Sequence, residues 1–303
     1  MTPRFAGRTD RGRVRERNED ALRMQRFGAD LALVVCDGLG GHDQGDAASR
    51  IGGDTLIAHL GAQGPGPARV FDALRAAAEA VHDAFARNGD WGEPATTAVV
   101  ALSTAEGVFV GWIGDSRLYH LRDGAVVDRT TDHSRATAPD QTALTRCLGP
   151  ERDVRPDVWG EPLALRDGDV VLLCSDGLWD LVTDDEIAAI ACGASPDVAV
   201  EQLVDLALER GAHDNVTVAI LGGPPPVPPP RRGTPTPTRS ERDAAPPVGA
   251  ALVEAPATSA APPPGPLVAP TSRGLAGWAA ALGGAALFGA GVLVGWVLRG
   301  VLS

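Results

Sequence analysis

Short apolar runs alternate with longer stretches of helical spacing through the first 222 residues of the chain. The runs at 31–36, 96–103, 107–113, 116–121, 125–130, 169–174 and 216–221 are bounded by polar or turn-forming residues, which predicts strands. Apolar positions recurring every three or four residues predict helices over 45–60, 68–88, 183–192 and 196–210. Thr183 with Glu186 three residues on has the form of a capping box, and Ser195-Pro196 puts a cap before a proline at the first helical position. Arg122-Asp123-Gly124 joins two of the runs as a hairpin turn. The helices fall in pairs between groups of strands. That order predicts an α+β fold of antiparallel sheets with helices layered outside, not a doubly wound parallel sheet.

The pattern changes after residue 222. Residues 223–273 are rich in Pro, Ala, Ser and Thr, a composition that favours extended polyproline and predicts a linker. Residues 275–298 carry no charge and have Trp278 and Trp296 near their two ends. As a helix they would reach about 36 Å, enough for a hydrocarbon core of about 30 Å. The expected organisation is therefore a catalytic-size domain at 1–222, a linker at 223–273, a transmembrane helix at 274–298 and a short tail at 299–303. The N-terminus has charge but no apolar core of a signal peptide, so the domain is expected on the cytoplasmic side of the plasma (inner) membrane, anchored by a single-pass tail. Gly291 and Gly295 have the spacing that lets two such helices approach and dimerise, although glycine is common throughout the segment.

Charge narrows the partners. All 27 basic residues are arginine, which we attribute to base composition of the coding sequence. Up to residue 222 there are 21 Arg against 36 Asp and Glu, a balance of −15. Nucleic acid is excluded as a partner on that ground, since a phosphate backbone needs a basic face. Cys36, Cys147, Cys174 and Cys192 form no CxxC pair, and free thiols suit a reducing compartment.

Several phosphate chemistries fail on residue identity. A cysteine-dependent phosphatase needs Cys-x5-Arg, but His42, Asp153, Asp180 and Val198 stand six residues after the four cysteines. An aspartyl nucleophile of the DxD type finds Leu39 and Leu178 where its second acid belongs. A Walker loop needs lysine, and there is none. What remains is a set of hard oxygen donors: Asp20, Asp37, Asp132, Asp176 and Asp214. Such carboxylates suit Mg²⁺ or Mn²⁺ rather than zinc. The glycine after Asp37 and after Asp176 predicts a backbone bend that turns a carbonyl inward. Arg15 could hold phosphate oxygens through its planar fork.

Taken in order, GRVRERNED (12–20), VVCDGLGGH (34–42), GDSR (114–117), TDHS (131–134), LTRCLG (144–149), LCSDGLWD (173–180) and HDNVTV (213–218) resemble the metal-dependent protein serine/threonine phosphatases of type 2C. The resemblance implies a four-layer sandwich of two antiparallel β-sheets flanked by α-helices. It implies two Mg²⁺ or Mn²⁺ ions, with Asp37 bridging both, the Gly38 carbonyl on one, Asp176 and Asp214 completing a shell and Asp20 acting through water. Arg15 would bind phosphate, and Asp132 with Asp176 and Asp180 would match a weaker third metal position. The implied reaction is hydrolysis of phosphoserine and phosphothreonine in proteins by metal-activated water, without a phospho-enzyme. Serine/threonine kinases and their substrates are the natural phosphorylated partners.

This chain departs from that pattern in two places. Residues 134–144 leave only a short flap. The residue two after Asp37 is Leu39, where some relatives carry a histidine acid, and His42 is the nearest substitute. Asp115 and Arg117 are read as bracing a turn, and His59, His82, His120 and Tyr119 as packing or surface residues. The competing class is a phosphoprotein-binding module without turnover; the retention of every ligating aspartate speaks against it.

Overall fold

The computed structural model describes residues 4–40, 44–62, 66–86, 94–138 and 141–222, all within one unit, Met1–Thr234. The linker, the apolar 274–298 segment and His42 lie outside the described residues. Among the described residues no helix is long and apolar enough to cross a membrane.

In chain order, strands β1 (Phe5–Asp10), β2 (Asp20–Phe27) and β3 (Asp30–Leu39) lead into helices α1 (Gln44–Leu60) and α2 (Gly66–Ala86). Next come β4 (Ala95–Thr96), β5 (Ala98–Thr104), β6 (Gly107–Ile113), β7 (Arg117–Arg122) and β8 (Ala125–Arg129). The 134–144 flap is a hairpin of β9 (Ser134–Ala138) and β10 (Gln141–Leu144), followed by β11 (Asp157–Val158) and β12 (Val170–Cys174). The helices α3 (Asp176–Trp179), α4 (Asp184–Gly193) and α5 (Pro196–Glu209) precede the last strand, β13 (Val216–Gly222).

Two antiparallel sheets result, ordered β11-β6-β5-β3-β2 (with β4 on β3) and β1-β13-β12-β7-β8. Strand periodicity explains the layering. In β3, Leu31, Leu33 and Val35 face the other sheet and share a core with Val171, Leu173 and Ala219. The alternate residues Ala32, Val34 and Cys36 pack with Leu56, Leu74 and Val81 of α1 and α2. On β12, Leu172 and Cys174 pack with Ile187, Leu203 and Val204 of α4 and α5. Both faces of each central strand are therefore dry, which is why these strands read as continuous apolar runs rather than alternating ones. Burying each such Val or Leu contributes roughly 1.5–3 kcal/mol.

Local signals were accurate where geometry is local. Thr183 Oγ1 accepts from the Glu186 backbone N–H while the Glu186 carboxylate accepts from the Thr183 N–H, closing the capping box. Ser195 occupies the cap of α5 with Pro196 behind it, but its side chain makes no cap bond. Asp123 (φ 51°) and Gly124 (φ 76°) form the left-handed pair that a tight hairpin requires. Tyr119 is buried in β7, with its hydroxyl donating to Asp184 at 2.9 Å. His120 is buried against Asp169, which also receives the Arg122 fork. Strands β1 and β2 carry no apolar run because each lies at a sheet edge and is only partly covered.

The glycines of the two Asp-Gly-Leu stretches have a different role from the bend expected of them. Neither has a positive φ. A Cβ on Gly38 would stand 2.2 Å from the Gly45 carbonyl oxygen, and one on Gly177 would stand 2.0 Å from that of Asn215. Close backbone approach, not unusual backbone shape, fixes glycine at both. Gly177→Ala should therefore cost about 1–3 kcal/mol or more, because a backbone carbonyl cannot rotate away as a side chain can. A urea midpoint equal to wild type would contradict this.

Candidate active site

Four of the predicted aspartates meet at one end of the two sheets. Asp20 opens β2 and Asp37 lies near the end of β3, and the register pairs them directly. Asp176 follows β12 and Asp214 precedes β13, two strands that also pair antiparallel. Hydrogen bonds join the sheets at this point: Asp20 Oδ2 accepts from Ser175 Oγ at 2.8 Å and from Thr217 Oγ1 at 2.6 Å. Asp37 is fixed through its backbone, whose N–H donates to Thr97 Oγ1 at 3.0 Å and whose carbonyl accepts from Thr96 Oγ1 at 2.8 Å. The Gly38 N–H donates to the Glu19 carbonyl at 3.2 Å, packing the Asp37-Gly38 turn against the loop that carries Glu19.

The electrostatics of this cluster are unfavourable without a cation. Burial drives the Asp20 carboxyl up to about 6 and that of Asp176 up to about 7, and the negative charge of Asp214 adds to both. Asp37 is raised well above the ordinary carboxylate range, first by burial and then by Asp176, Asp20 and Asp214. Asp20 Oδ1 and Asp176 Oδ1 are buried with no hydrogen-bond partner. Unpaired buried oxygens among like charges are what a hard divalent cation satisfies. Among the described residues no group of three or more His, Cys, Asp or Glu side chains stands close enough together to hold a metal ion by itself. Mg²⁺ commonly completes its shell with water and backbone carbonyls in addition to one or two carboxylates. The donor set fits Mg²⁺ or Mn²⁺.

Residues 11–19 wrap the rim of this cluster. Arg15 donates to Asp214 Oδ2 at 2.6 Å, so the predicted phosphate-binding arginine stands beside a predicted metal ligand. The side chain of Asn215 holds the loop: its Nδ2 donates to the carbonyls of Arg11 (2.9 Å) and Arg17 (2.8 Å), and its Oδ1 accepts from the Glu19 N–H (2.8 Å). Arg13 N–H donates to the Ala212 carbonyl at 2.9 Å. Asn215 was inside a quoted motif, yet nothing in its identity told that its partners would be backbone groups some 200 residues away in sequence. Ser175 and Thr217 escaped notice for the same reason.

The positions expected for a third ion are arranged differently. Asp132 receives the Arg117 guanidinium, with Nε at 3.0 Å from Oδ1 and a terminal nitrogen at 2.7 Å from Oδ2. Arg117 also stacks on Trp179, 3.7 Å from the ring centroid. Arg117 thus braces the 132 turn as expected, and it does so through Asp132. Asp180 lies 3.9 Å from His213 and is raised by burial. Asp115, read as a turn brace, is half-buried with its carboxyl pushed up to about 6 by burial, and its charge raises Asp176. At the base of the flap, buried His133 and Arg146 both bond to Asp157.

Two outcomes follow from this arrangement. Asp20, Asp37, Asp115 and Asp176 hold their protons more tightly folded than unfolded, so stability without metal rises as pH falls from about 7 toward about 4. Asp180 acts with them; His133, whose proton affinity burial lowers, opposes them, and the lowered Asp157, Asp169 and Glu186 oppose them only as pH nears the ordinary carboxylate range. Urea midpoints of the metal-free chain should be higher near about pH 5.5 than about pH 7.5, and a lower midpoint in acid would contradict the cluster's electrostatics. Asn215→Ala should cost about 2–4 kcal/mol, because three backbone groups lose their partner at once. A change below about 0.5 kcal/mol would show that the loop does not depend on it.

Comparison with known proteins agrees with this geometry. Residues 9–206 match the protein phosphatase 2C family. The serine/threonine protein phosphatase PstP of Mycobacterium tuberculosis is 35% identical over 237 residues, which is 72% of this chain and 44% of that protein. The chain thus spans under half the length of that relative. The crystal structure of M. tuberculosis PstP/Ppp superposes with a TM-score of 0.65 at 32% identity, covering 74% of this chain and 99% of that one. A PstP catalytic domain in complex with two manganese ions gives 0.64 at 32% identity, with 73% and 97% covered. The two antiparallel sheets and their outer helices are the architecture shared with these structures. On the extent of the match and the identity of these relatives, the chain belongs to the protein phosphatase 2C family.

Proposed function

We propose that the domain hydrolyses phosphoserine and phosphothreonine in proteins, with two Mg²⁺ or Mn²⁺ ions held by Asp20, Asp37, the Gly38 carbonyl, Asp176 and Asp214. The observation that carries this reading is the set of buried, mutually repelling carboxylates with unpaired oxygens, bordered by an arginine fork. The relative crystallised with two manganese ions supports it. Such ions, when bound, lower the pKa of water and offset the charge on phosphoryl oxygens. Asp37 lies between Asp20 and Asp176, the position from which one carboxylate can serve two ions. Arg15 presents a planar fork suited to two phosphoryl oxygens.

Among the described residues the cysteine and aspartyl routes to a phospho-enzyme are disfavoured. Cys36 and Cys174 are buried, and burial pushes both thiols far above their ordinary range, so neither supplies a thiolate. Leu39 stands where the acid partner of an aspartyl nucleophile would be, and it is exposed. This supports water as the nucleophile. A third ion at Asp132 and Asp180 would compete with Arg117 for Asp132 and so bind more weakly than the first two.

The reading extends to placement. The uncharged 275–298 segment with its terminal tryptophans supports a membrane tether, with the domain facing phosphorylated proteins such as serine/threonine kinases and their substrates.

Phosphopeptide hydrolysis by the full chain should need Mn²⁺ or Mg²⁺ and stop with chelator. Asp176→Asn should lower it by at least about 100-fold, more than the 10–100-fold usual for residues that only support a ligand. Chelator-resistant turnover, or full activity in Asp176→Asn, would overturn the proposal. On fractionation the full chain should stay with membranes after alkaline carbonate extraction, whereas release into the soluble fraction would overturn the tether.

A further inference from the structure

The loop at 11–19 has an unusual charge for this molecule. Arg11, Arg13, Arg15 and Arg17 fall within seven residues against a single glutamate, Glu16, in a domain whose balance is −15. All four arginines are exposed. Arg15 pairs with Asp214, an Arg11 guanidinium nitrogen donates to the Glu16 carbonyl at 3.1 Å, and Arg17 is engaged within the chain as well. Arg13 is bound only through its backbone N–H, with no side-chain partner near it among the described residues. The carboxylates that could have met it are taken: Asp10 by the Gly12 N–H and Arg8, Asp214 by Arg15.

The backbone beneath these side chains is fixed. Asn215 grips the loop at Arg11, Arg17 and Glu19, and the Ala212 carbonyl holds it at Arg13. Gly12 lies so close that a Cβ there would be 2.1 Å from the Asp214 carbonyl oxygen. Val14, between Arg13 and Arg15, is 67% exposed, so the loop does not use its apolar side chain to anchor itself. A fixed strip of arginine beside a carboxylate centre, with the exposed Arg13 side chain unpaired among the described residues, is arranged to meet anions that arrive with the substrate.

We propose that residues 11–17 form a recognition rim for anionic groups that flank the phosphorylated residue of a protein substrate, with Arg13 as its specificity-determining contact. This rests on the phosphatase reading and adds the class of sequence it selects. The net negative charge of the domain disfavours an anionic peptide, and the rim supplies local positive charge beside the carboxylate centre where such a peptide can dock. Either a carboxylate or a second phosphate supplies the required charge.

The test uses the full chain with Mn²⁺ and three phosphothreonine peptides that differ only in their flanks: neutral, aspartate-rich, or carrying a second phosphothreonine. At low salt, kcat/KM for the anionic peptides should exceed the neutral one by about 5–10-fold, mostly through KM, and the gap should close at about 0.5 M salt. Arg13→Ala should shrink the gap about threefold, Arg13→Glu should abolish it, and Arg13→Lys should keep most of it. A gap for both anionic peptides identifies charge alone as the determinant; a gap for the doubly phosphorylated peptide only identifies the second phosphate. Equal rates on all three peptides in the wild type, or a gap unchanged by Arg13→Glu, would overturn the inference while leaving the phosphatase reading intact. No turnover of any phosphopeptide would overturn both.

Discussion

The structure depends on one electrostatic constraint, the convergence of carboxylates at the ends of two packed sheets. Asp20 and Asp37 are cross-strand partners, and like charges directly opposite one another destabilise a sheet pair. Asp176 and Asp214 approach from the second sheet and raise the proton affinity of the first pair. A protein keeps such an arrangement only if something of opposite charge compensates it. The core supplies the stability that tolerates it: three separate apolar layers, one between the sheets and one under each helix pair.

The polar residues around the carboxylates are consistent with that purpose. Ser175 and Thr217 both donate to one oxygen of Asp20 and leave its other oxygen bare. Thr96 and Thr97 hold Asp37 by its backbone, so its carboxylate is positioned without being neutralised. Glycine at 38 and 177 lets two backbone segments come within a distance that no side chain permits. The hydroxyl contacts orient Asp20 and Asp37 without an opposite charge beside their carboxyls. The arginines serve the rim instead, where Arg15 and Arg117 each take an outlying carboxylate.

Much of this was legible in the sequence because the relevant signals are short. Strands covered on both faces show as apolar runs, and the Thr183 capping box and the Asp123-Gly124 turn are set by neighbouring residues. The aspartates were legible through their spacing within motifs. Edge strands β1 and β2 were not, since partial exposure permits Arg, Gln and Asp along them. Asn215 was missed because its role lies in bonds to distant backbone groups, for which residue type carries no trace. The effect of Asp115 on Asp176 was not legible for a related reason: the two come near only when β7 is laid beside β12.

The central claim is that the raised carboxylates form a cation site, and calorimetric titration of Mn²⁺ in two buffers of different ionisation enthalpy tests it most directly. At about pH 6.5 several of these groups carry protons, and a ligand must give its proton up to bind metal. The account predicts saturable binding of two ions with net proton release that declines toward about pH 8.5, and a smaller release in Asp37→Asn. Binding without proton release, or no saturable binding, would contradict it.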